Sequence, residues 1–293
     1  MNAKERGTWP KDVTVWRVNE TYYFSVPFTW EIPWVQTAAV GLRNRGYGVH
    51  IGGPAARLMP EQFDGYSPMA HNTMALGIIN PHASRTTRGC DRGCAFCGVQ
   101  KIEGTFQELK TFVPAPILLD DNFLMSSEKH FNRVIDSLKA FRGIDFTQGL
   151  DAQLLTAGHI DRLRCINISM YRFAWDVPAD EIHVMRVLRK LVEKGVSKRR
   201  IGVYVLINHG ESQDEAHFRM GTLKEFGVRG YAMRYQPLDS LQKNSYVDPE
   251  WTQGELFRFL QYWNRQRVYG GIPYAEFDRE HFSAAVRSSH DIG

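Results

Sequence analysis

Residues 86–97 of the chain read TTRGCDRGCAFC and place Cys90, Cys94 and Cys97 within eight positions. Three thiolates so close together can converge on one metal centre, and the glycines at 89, 93 and 98 let the loop wrap around it. A structural zinc site usually takes four protein ligands, commonly from two separated pairs. An iron–sulfur cube held by three cysteines instead leaves one iron open. The loop therefore predicts a metal centre, and its spacing favours iron–sulfur over zinc while leaving zinc open.

Strand and helix signals alternate from residue 75 to about residue 240, a range that includes the cysteine loop. Strands that alternate with helices imply right-handed crossovers and a parallel sheet covered by helices. The pattern therefore predicts an α/β fold, and it leaves open whether the six strands form an open sheet or a partial (β/α) barrel. The predicted strands cover 76–81, 115–120, 144–148, 165–169, 201–207 and 230–235.

Helices are predicted where apolar residues recur at helical spacing. Residues 131–138 carry phenylalanine, valine, isoleucine and leucine at i, i+3, i+4 and i+7, which is the apolar stripe of a helix that faces a core. Ser212 and Glu215 match a capping box and predict a helix that starts there. Residues 256–263 repeat the apolar spacing, so we expect a docked helix near the C-terminus.

The N-terminal sixty residues predict one further βαβ-like unit. VTVWRV (13–18) alternates as a strand does, residues 35–45 suit a helix, and VHIGGP (49–54) suits a second strand and a turn. We therefore expect three parts in the chain. These are a βαβ-like cap over 1–74, the strand–helix body over 75–240 and a helical, aromatic extension over 241–293.

Composition excludes several classes of protein. The 293 residues are 43% hydrophobic and 23% charged with a formal net charge of +4, which is ordinary for a packed globular protein. No apolar run approaches the roughly 20 residues that span a bilayer, and the N-terminus has no apolar segment typical of a secretory signal. Four cysteines cannot form a disulfide scaffold. We expect a soluble, cytoplasmic protein without a membrane partner.

The cysteine loop, with Phe96 before its last cysteine, resembles the signature of the radical S-adenosylmethionine (radical SAM) superfamily, over about residues 75–240. ILLDDNF (117–123) is similar to the second-strand segment of its cobalamin-dependent and methylthiotransferase branches. The resemblance implies a (β/α)6 partial TIM barrel and a [4Fe–4S] cluster bound by the three cysteines. The chain has no cysteine before Cys90 and no DxHxxG cobalamin motif. We therefore expect neither a second cluster nor cobalamin.

The resemblance also implies an enzyme that reductively cleaves SAM to methionine and a 5′-deoxyadenosyl radical, which abstracts hydrogen from a substrate. A flavodoxin- or ferredoxin-like protein is the implied one-electron reductant. The substrate stays open among nucleic acids or nucleotides, peptides and small molecules, and so does its fate: isomerisation, methylation or another modification. The residues that the resemblance implies for binding SAM are Phe96, Asp120, Asp121, Asn122, Gln148, Ser169, Glu211 and Tyr235.

Two other functions remain open from the sequence. One is a zinc-stabilised nucleic-acid-binding module that uses the basic and aromatic residues of the tail, such as Arg258. The other is a non-catalytic iron–sulfur protein for electron transfer. Cys165 precedes an apolar strand, which favours a buried structural thiol over a fourth metal ligand. His209 is either a site residue or an ordinary loop histidine.

Overall fold

A computed structural model describes residues 12–69 and 73–277 of the chain. Its first elements are β1 (Thr14–Val18), β2 (Thr21–Ser25), α1 (Ile32–Arg43), β3 (Gly48–Gly52), α2 (Pro54–Leu58) and β4 (Ser67–Pro68). The four strands form one sheet in chain order, in which β1 and β2 are antiparallel and the other pairs are parallel. Phe24, Val35 and Ile51 belong to a hydrophobic core that is separate from the larger one.

The predicted βαβ-like unit is present, but its first strand differs from the prediction. The parallel pair that flanks α1 consists of β2 and β3, and the predicted strand at 13–18 is the outer member of a hairpin. Asn19 turns this hairpin with a positive φ of 51°, a conformation that asparagine tolerates better than most residues. The sequence prediction missed β2 because its residues lie in an aromatic stretch interrupted by prolines.

The larger part of the chain is a mixed α/β body. It contains α3 (Thr73–Ile79), β5 (Ala83–Ser84), β6 (Thr87–Arg88), α4 (Val99–Ile102), β7 (Gln107–Glu108), β8 (Ile117–Leu118), α5 (Glu128–Leu138), β9 (Arg142–Phe146), α6 (Ala157–Leu163), β10 (Asn167–Ala174), α7 (Glu181–Glu193), β11 (Ile201–Ile207), α8 (Gln213–Phe226), β12 (Arg229–Arg234), α9 (Gln253–Asn264) and α10 (Gln266–Tyr269). Six strands form a sheet in the order β5-β8-β9-β10-β11-β12, and every neighbouring pair is parallel. The predicted α/β fold with a parallel sheet is therefore confirmed.

The predicted first strand at 76–81 is wrong. These residues lie mostly in α3, which ends at Ile79, and the first strand of the sheet is the two-residue β5. Met74, Ala75 and Leu76 are good helix formers, and a short apolar run does not by itself distinguish a helix from a strand. Pro81 lacks a backbone N–H, which suits the end of the helix at this point.

The other predicted elements are confirmed with shifted ends. β11 matches its predicted bounds, and the stripe at 131–138 lies in α5, with Val134 and Ile135 fully buried. The capping box at Ser212 is formed, with Glu215 as its partner. β10 extends to Ala174, five residues beyond its prediction, because Tyr171 and Phe173 continue the buried face of the strand.

The core of the α/β body lies between the sheet and its helices. Ile144, Ile168, Val203 and Val205 are wholly buried on the strands, and α9 adds Leu256 and other apolar residues to the same core. Each buried aliphatic side chain contributes about 1.5–3 kcal/mol relative to exposure. Among the helices that the structure describes, none combines the length and the apolar character needed to cross a bilayer.

Candidate metal centre and adjoining cavity

The cysteine loop follows the first strand of the six-stranded sheet. β6 pairs with β7 at the base of the loop, and Cys90, Cys94 and Cys97 lie between β6 and α4. All three cysteines are half-buried and free. The Cys90 N–H donates to the carbonyl of Gly104 over 3.3 Å, and the Cys97 N–H donates to the carbonyl of Cys94 over 3.0 Å. The backbone thus fixes the loop at both ends.

Burial raises the pKa of the Cys94 and Cys97 thiols above the ordinary value. Because the thiolate is the form that binds a metal, loading the loop with metal must release protons. Over residues 12–69 and 73–277, no three His, Cys, Asp or Glu side chains gather closely enough to hold a single metal ion. The loop therefore presents three separate thiols.

Cys165 does not match its predicted burial. It is exposed, and its Sγ atom faces the Asp161 carbonyl at 3.4 Å. The residue lies just before β10, whereas the cysteine loop follows β5. Because the strands are parallel, these positions lie at opposite ends of the sheet, so Cys165 is not a fourth ligand for the loop. An apolar strand after a cysteine does not bury the cysteine itself when that residue still belongs to the preceding turn.

Two carboxylates that follow β8 hold the segment that leads to Cys90. Asp120, only 3% exposed, accepts from the N–H groups of Thr86 and Thr87 over 2.5 and 2.7 Å and from the Thr86 hydroxyl over 2.7 Å. Asp121 accepts from the Gly89 N–H over 2.9 Å. Both acidic residues were implied to bind SAM. In the structure their carboxylates accept hydrogen bonds from backbone N–H groups of the segment that leads to Cys90.

Asn122 is the member of this group that faces a cysteine. Its Nδ2 atom donates to Asp151 Oδ2 over 2.9 Å and lies 3.6 Å from Cys90 Sγ. The side chain is buried, and its Oδ1 atom has no hydrogen-bond partner among the described residues. A buried acceptor without a donor costs about 1–3 kcal/mol. This oxygen is therefore a buried, unpartnered acceptor beside the cysteine loop.

A cavity of about 330 Å³ lies between the loop and the carboxyl ends of β9, β10 and β11. Its lining includes Phe96 from the loop and carries three carboxyl groups and one guanidinium. Arg92, the guanidinium, lies 3.2 Å from Asp151 and 3.8 Å from Asp180. In parallel α/β folds, ligands bind at the carboxyl ends of the strands. The cavity has this location.

His209 belongs to the site. Its ring lines the cavity and contacts the rings of Phe96 and Tyr235 edge-on, with centroid distances of 5.6 and 4.4 Å. The preceding Asn208 is fully buried with a positive φ of 69°, and its amide donates to the carbonyls of Tyr235 and Tyr246. This hydrogen bonding fixes the turn that presents His209. Tyr235 therefore does not line the cavity itself; it packs against the His209 ring, which does.

Of the eight residues predicted to bind SAM, Phe96 lines the cavity, and the three not yet described lie elsewhere. Gln148 is exposed in the turn after β9, and Ser169 lies inside β10, where its hydroxyl donates to the Ile144 carbonyl. Glu211 is buried and accepts from the N–H groups of Asn208 and His209. Ser169 was predicted at a strand end because β10 was predicted to end too early.

The sequence did not identify the three acidic residues of the cavity, Asp151, Asp176 and Asp180, as site residues. Asp176 follows the true end of β10, and its apolar neighbours Phe173 and Trp175 were the signal that could have extended the strand. Asp151 and Asp180 lie several residues beyond strand ends. No spacing connects them to the loop, because only the packing of the sheet brings them there.

Asp176 makes the stability of the protein depend on pH. Burial, and next the charge of Asp180, raises the pKa of Asp176 from 3.8 to about 6. The folded protein then binds this proton more tightly than the unfolded chain, so the free energy of unfolding falls as pH rises from about 4 to about 6. We expect Asp176→Asn to be more stable than the wild type at pH 7.5 by about 2 kcal/mol.

Urea unfolding of the metal-free protein at pH 4.5 and 7.5 measures this effect. The gain from Asp176→Asn should shrink at the lower pH, where the wild-type carboxyl becomes protonated. Asp120, whose pKa burial also raises to about 6, titrates in the same window and leaves part of the dependence in the variant. Asp64→Asn, at an exposed position that does not line the cavity, should keep the wild-type pH dependence. An equal gain at both pH values would contradict the assignment.

Gly89 is required by the backbone of the loop. Its φ is +71°, and a Cβ atom there would overlap the carbonyl oxygens of Thr105 and Gly104. We expect Gly89→Ala to displace Cys90 and, on the interpretation of the loop as an iron–sulfur site, to reduce the iron taken up on reconstitution at least several-fold. Gly104→Ala is a matched control, since Gly104 also has a positive φ, +80°, but has open space around its Cβ position. Equal iron contents in the two variants would refute the role of Gly89.

Comparison with known proteins assigns no family to the chain. No family model matches it, and no curated protein matches it at a significant level. The chemistry of the site therefore depends on its own side chains. These are three half-buried thiols, a buried amide whose oxygen has no donor among the described residues, and a cavity whose wall carries more negative than positive charge.

Proposed function

We propose that the protein is a radical SAM enzyme, in which Cys90, Cys94 and Cys97 bind a [4Fe–4S] cluster. One observation carries the proposal: the three free thiols lie in a loop after the first strand of a parallel sheet, and that loop forms part of a cavity at the carboxyl ends of the neighbouring strands. A cluster held by three cysteines keeps one iron available to a ligand. The adjoining cavity offers space for that ligand.

We propose further that the six-stranded sheet curves into a partial (β/α)6 barrel. Its strands follow one another in chain order, and all are parallel. Right-handed crossovers then place the connecting helices on one face of the sheet. A twisted sheet with helices on one face tends to curl around its other face, as it does in complete (β/α)8 barrels.

The side chains around the loop suit SAM. Asn122 Oδ1 is buried without a donor among the described residues, and the ammonium group of SAM is a donor. The amide orientation is determined, because the carboxylate of Asp151 can only accept and so requires the Nδ2 atom. The cavity carries three carboxylates and one guanidinium, a balance that favours a cationic ligand such as a sulfonium.

Different residues of the chain would then have different roles in this reaction. When bound, the cluster and SAM supply one-electron cleavage of a carbon–sulfur bond, which yields methionine and a 5′-deoxyadenosyl radical that abstracts hydrogen from the substrate. Phe96 and His209 present rings to the cavity and suit the planar adenine base. Asp120 and Asp121 hold the backbone before Cys90 in place. A flavodoxin- or ferredoxin-like protein is the proposed source of the electron.

The observed contacts do not favour the zinc-stabilised nucleic-acid module. Cys165 lies away from the loop, so the three cysteines gain no fourth protein thiol. Arg258, which could have contacted a nucleic acid, donates to the carbonyls of Tyr274 and Phe277 and stacks on the Tyr274 ring at 4.5 Å. Its guanidinium therefore holds the tail against α9.

Anaerobic reconstitution with iron and sulfide, followed by incubation with SAM and dithionite, tests the proposal. We expect about four irons per chain and slow formation of 5′-deoxyadenosine, measured by chromatography, even without the substrate. A brown protein that binds four irons but neither binds nor cleaves SAM would support an electron-transfer protein instead. One bound zinc and no cleavage would overturn the proposal.

A further inference from the structure

We infer that Asp151 is a positioning residue that directs the Asn122 amide towards Cys90 and thereby raises the reduction potential of the cluster. The inference deepens the proposed function and rests on it, because it concerns the metal centre that this function requires. Hydrogen bonds to the sulfur atoms of an iron–sulfur cluster are among the features that set its reduction potential. They stabilise the negative charge that the reduced state places on sulfur.

The contacts of Asn122 provide the first step. Its Nδ2 atom lies 2.9 Å from Asp151 Oδ2 and 3.6 Å from Cys90 Sγ. An amide nitrogen has two hydrogens, so it can serve both acceptors at once. A contact of 3.6 Å to sulfur is within the range of an N–H···S hydrogen bond, because sulfur is larger than oxygen. The amide therefore links the carboxylate to the first cysteine of the loop.

The direction of the amide depends on Asp151. An ionised carboxylate can only accept hydrogen bonds, so it pairs with the Nδ2 end of Asn122 and repels the Oδ1 end. If the amide turned over, Oδ1 would face both Asp151 and the Cys90 sulfur, and neither contact would carry a hydrogen. Asp151 therefore decides that Cys90 faces a donor rather than an acceptor.

Asp151 is itself held firmly. Its side chain is only 4% exposed, and Oδ1 accepts from the Gln153 N–H over 2.9 Å and from Arg92 over 3.2 Å. Arg92 belongs to the loop, between the first two cysteines. The carboxylate thus connects to the loop twice, through Arg92 and through Asn122. Groups around a metal ligand commonly orient that ligand and tune the metal.

Asn122→Ala tests the hydrogen bond without a change of charge. The midpoint potential of the reconstituted cluster is measured by redox titration with electron paramagnetic resonance. We expect this variant to keep its iron content and to shift the potential to a more negative value than that of the wild type. An unchanged potential would overturn the inference.

Asp151→Asn tests the positioning role, and Asp180→Asn is its matched control. Each substitution removes one carboxylate beside Arg92 and keeps the side-chain volume, but only Asp151 contacts Asn122. Loss of a negative charge alone raises the potential, so Asp180→Asn reports the effect of charge. We expect Asp151→Asn to have a more negative potential than Asp180→Asn. Equal potentials would contradict the positioning role.

The double variants complete the test. In the Asn122→Ala background the amide is gone, so Asp151→Asn and Asp180→Asn should have equal potentials. A difference that persists there would show that Asp151 acts by another route. If Asn122→Ala fails to assemble a cluster, the potentials of Asp151→Asn and Asp180→Asn still test the positioning role of Asp151. A wild type that binds no iron refutes the proposed function, whereas a wild type that cleaves SAM, with equal potentials in the variants, refutes only this inference.

Discussion

On the proposed function, Cys94→Ala is expected to assemble no iron–sulfur cluster and to form no 5′-deoxyadenosine, while the fold is retained. Two remaining cysteines cannot hold a cluster that needs three, so the effect on cleavage is complete rather than partial. The loop contributes no residue to either hydrophobic core. The thermal unfolding of the metal-free variant should therefore stay within a few degrees of that of the wild type. Iron analysis, chromatography and circular dichroism measure the three quantities.

Cys165→Ala is the matched control for this prediction. It also removes one free thiol, but at an exposed position just before β10 and away from the loop. We expect it to keep its iron and its cleavage rate. If Cys94→Ala retained iron and cleaved SAM at the wild-type rate, the loop would not be the metal centre. If Cys165→Ala lost its iron as well, that cysteine would be a ligand despite its position.

The second large effect is expected from Asp120→Ala. Removing the carboxylate leaves three buried donors, two backbone N–H groups and one hydroxyl, without their acceptor. Each buried, unsatisfied group costs about 1–3 kcal/mol, and the costs are not fully additive. We expect the free energy of unfolding to fall by about 3 kcal/mol, together with loss of bound iron, because the segment before Cys90 loses its anchor. Urea unfolding of the metal-free protein measures the first effect.

Asp91→Ala separates this anchoring from a general effect of charge near the loop. Asp91 is exposed, and its carboxylate accepts only one backbone N–H in the structure, that of Phe106. We expect a loss of stability below about 1 kcal/mol, the usual net value of one exposed hydrogen bond. Equal losses in Asp91→Ala and Asp120→Ala would contradict the anchoring role of Asp120.

Local patterns predicted a large part of the fold. Helix α8 begins at the predicted capping box, and β11 has its predicted bounds, because both depend on residues close together in the chain. The strand predicted at 76–81 failed, because a short apolar run does not show whether its neighbours in space are helices or strands. β10 was predicted too short, so Ser169 was expected at the end of the strand, next to the site. In the structure it lies inside β10.

The site shows the same division between local and distant information. The cysteine spacing and Phe96 are local, and the structure places Cys94 and Phe96 at the cavity. The polar residues after β8 were also identified, but their partners were not. Asp120 accepts a hydrogen bond from the backbone N–H of Thr86, more than thirty residues earlier in the chain. Asn122 donates a hydrogen bond to Asp151, 29 residues later. Such pairings depend on the register of the sheet, which residue types alone do not reveal.

The half-buried thiols of Cys94 and Cys97 also bear on how the metal-free protein behaves in air. Oxidation to sulfenic acid or to a disulfide proceeds through the thiolate. Because burial raises the pKa of Cys94 and Cys97, less thiolate is present before metal arrives. We expect these two thiols to oxidise more slowly than exposed cysteines do while the loop holds no metal.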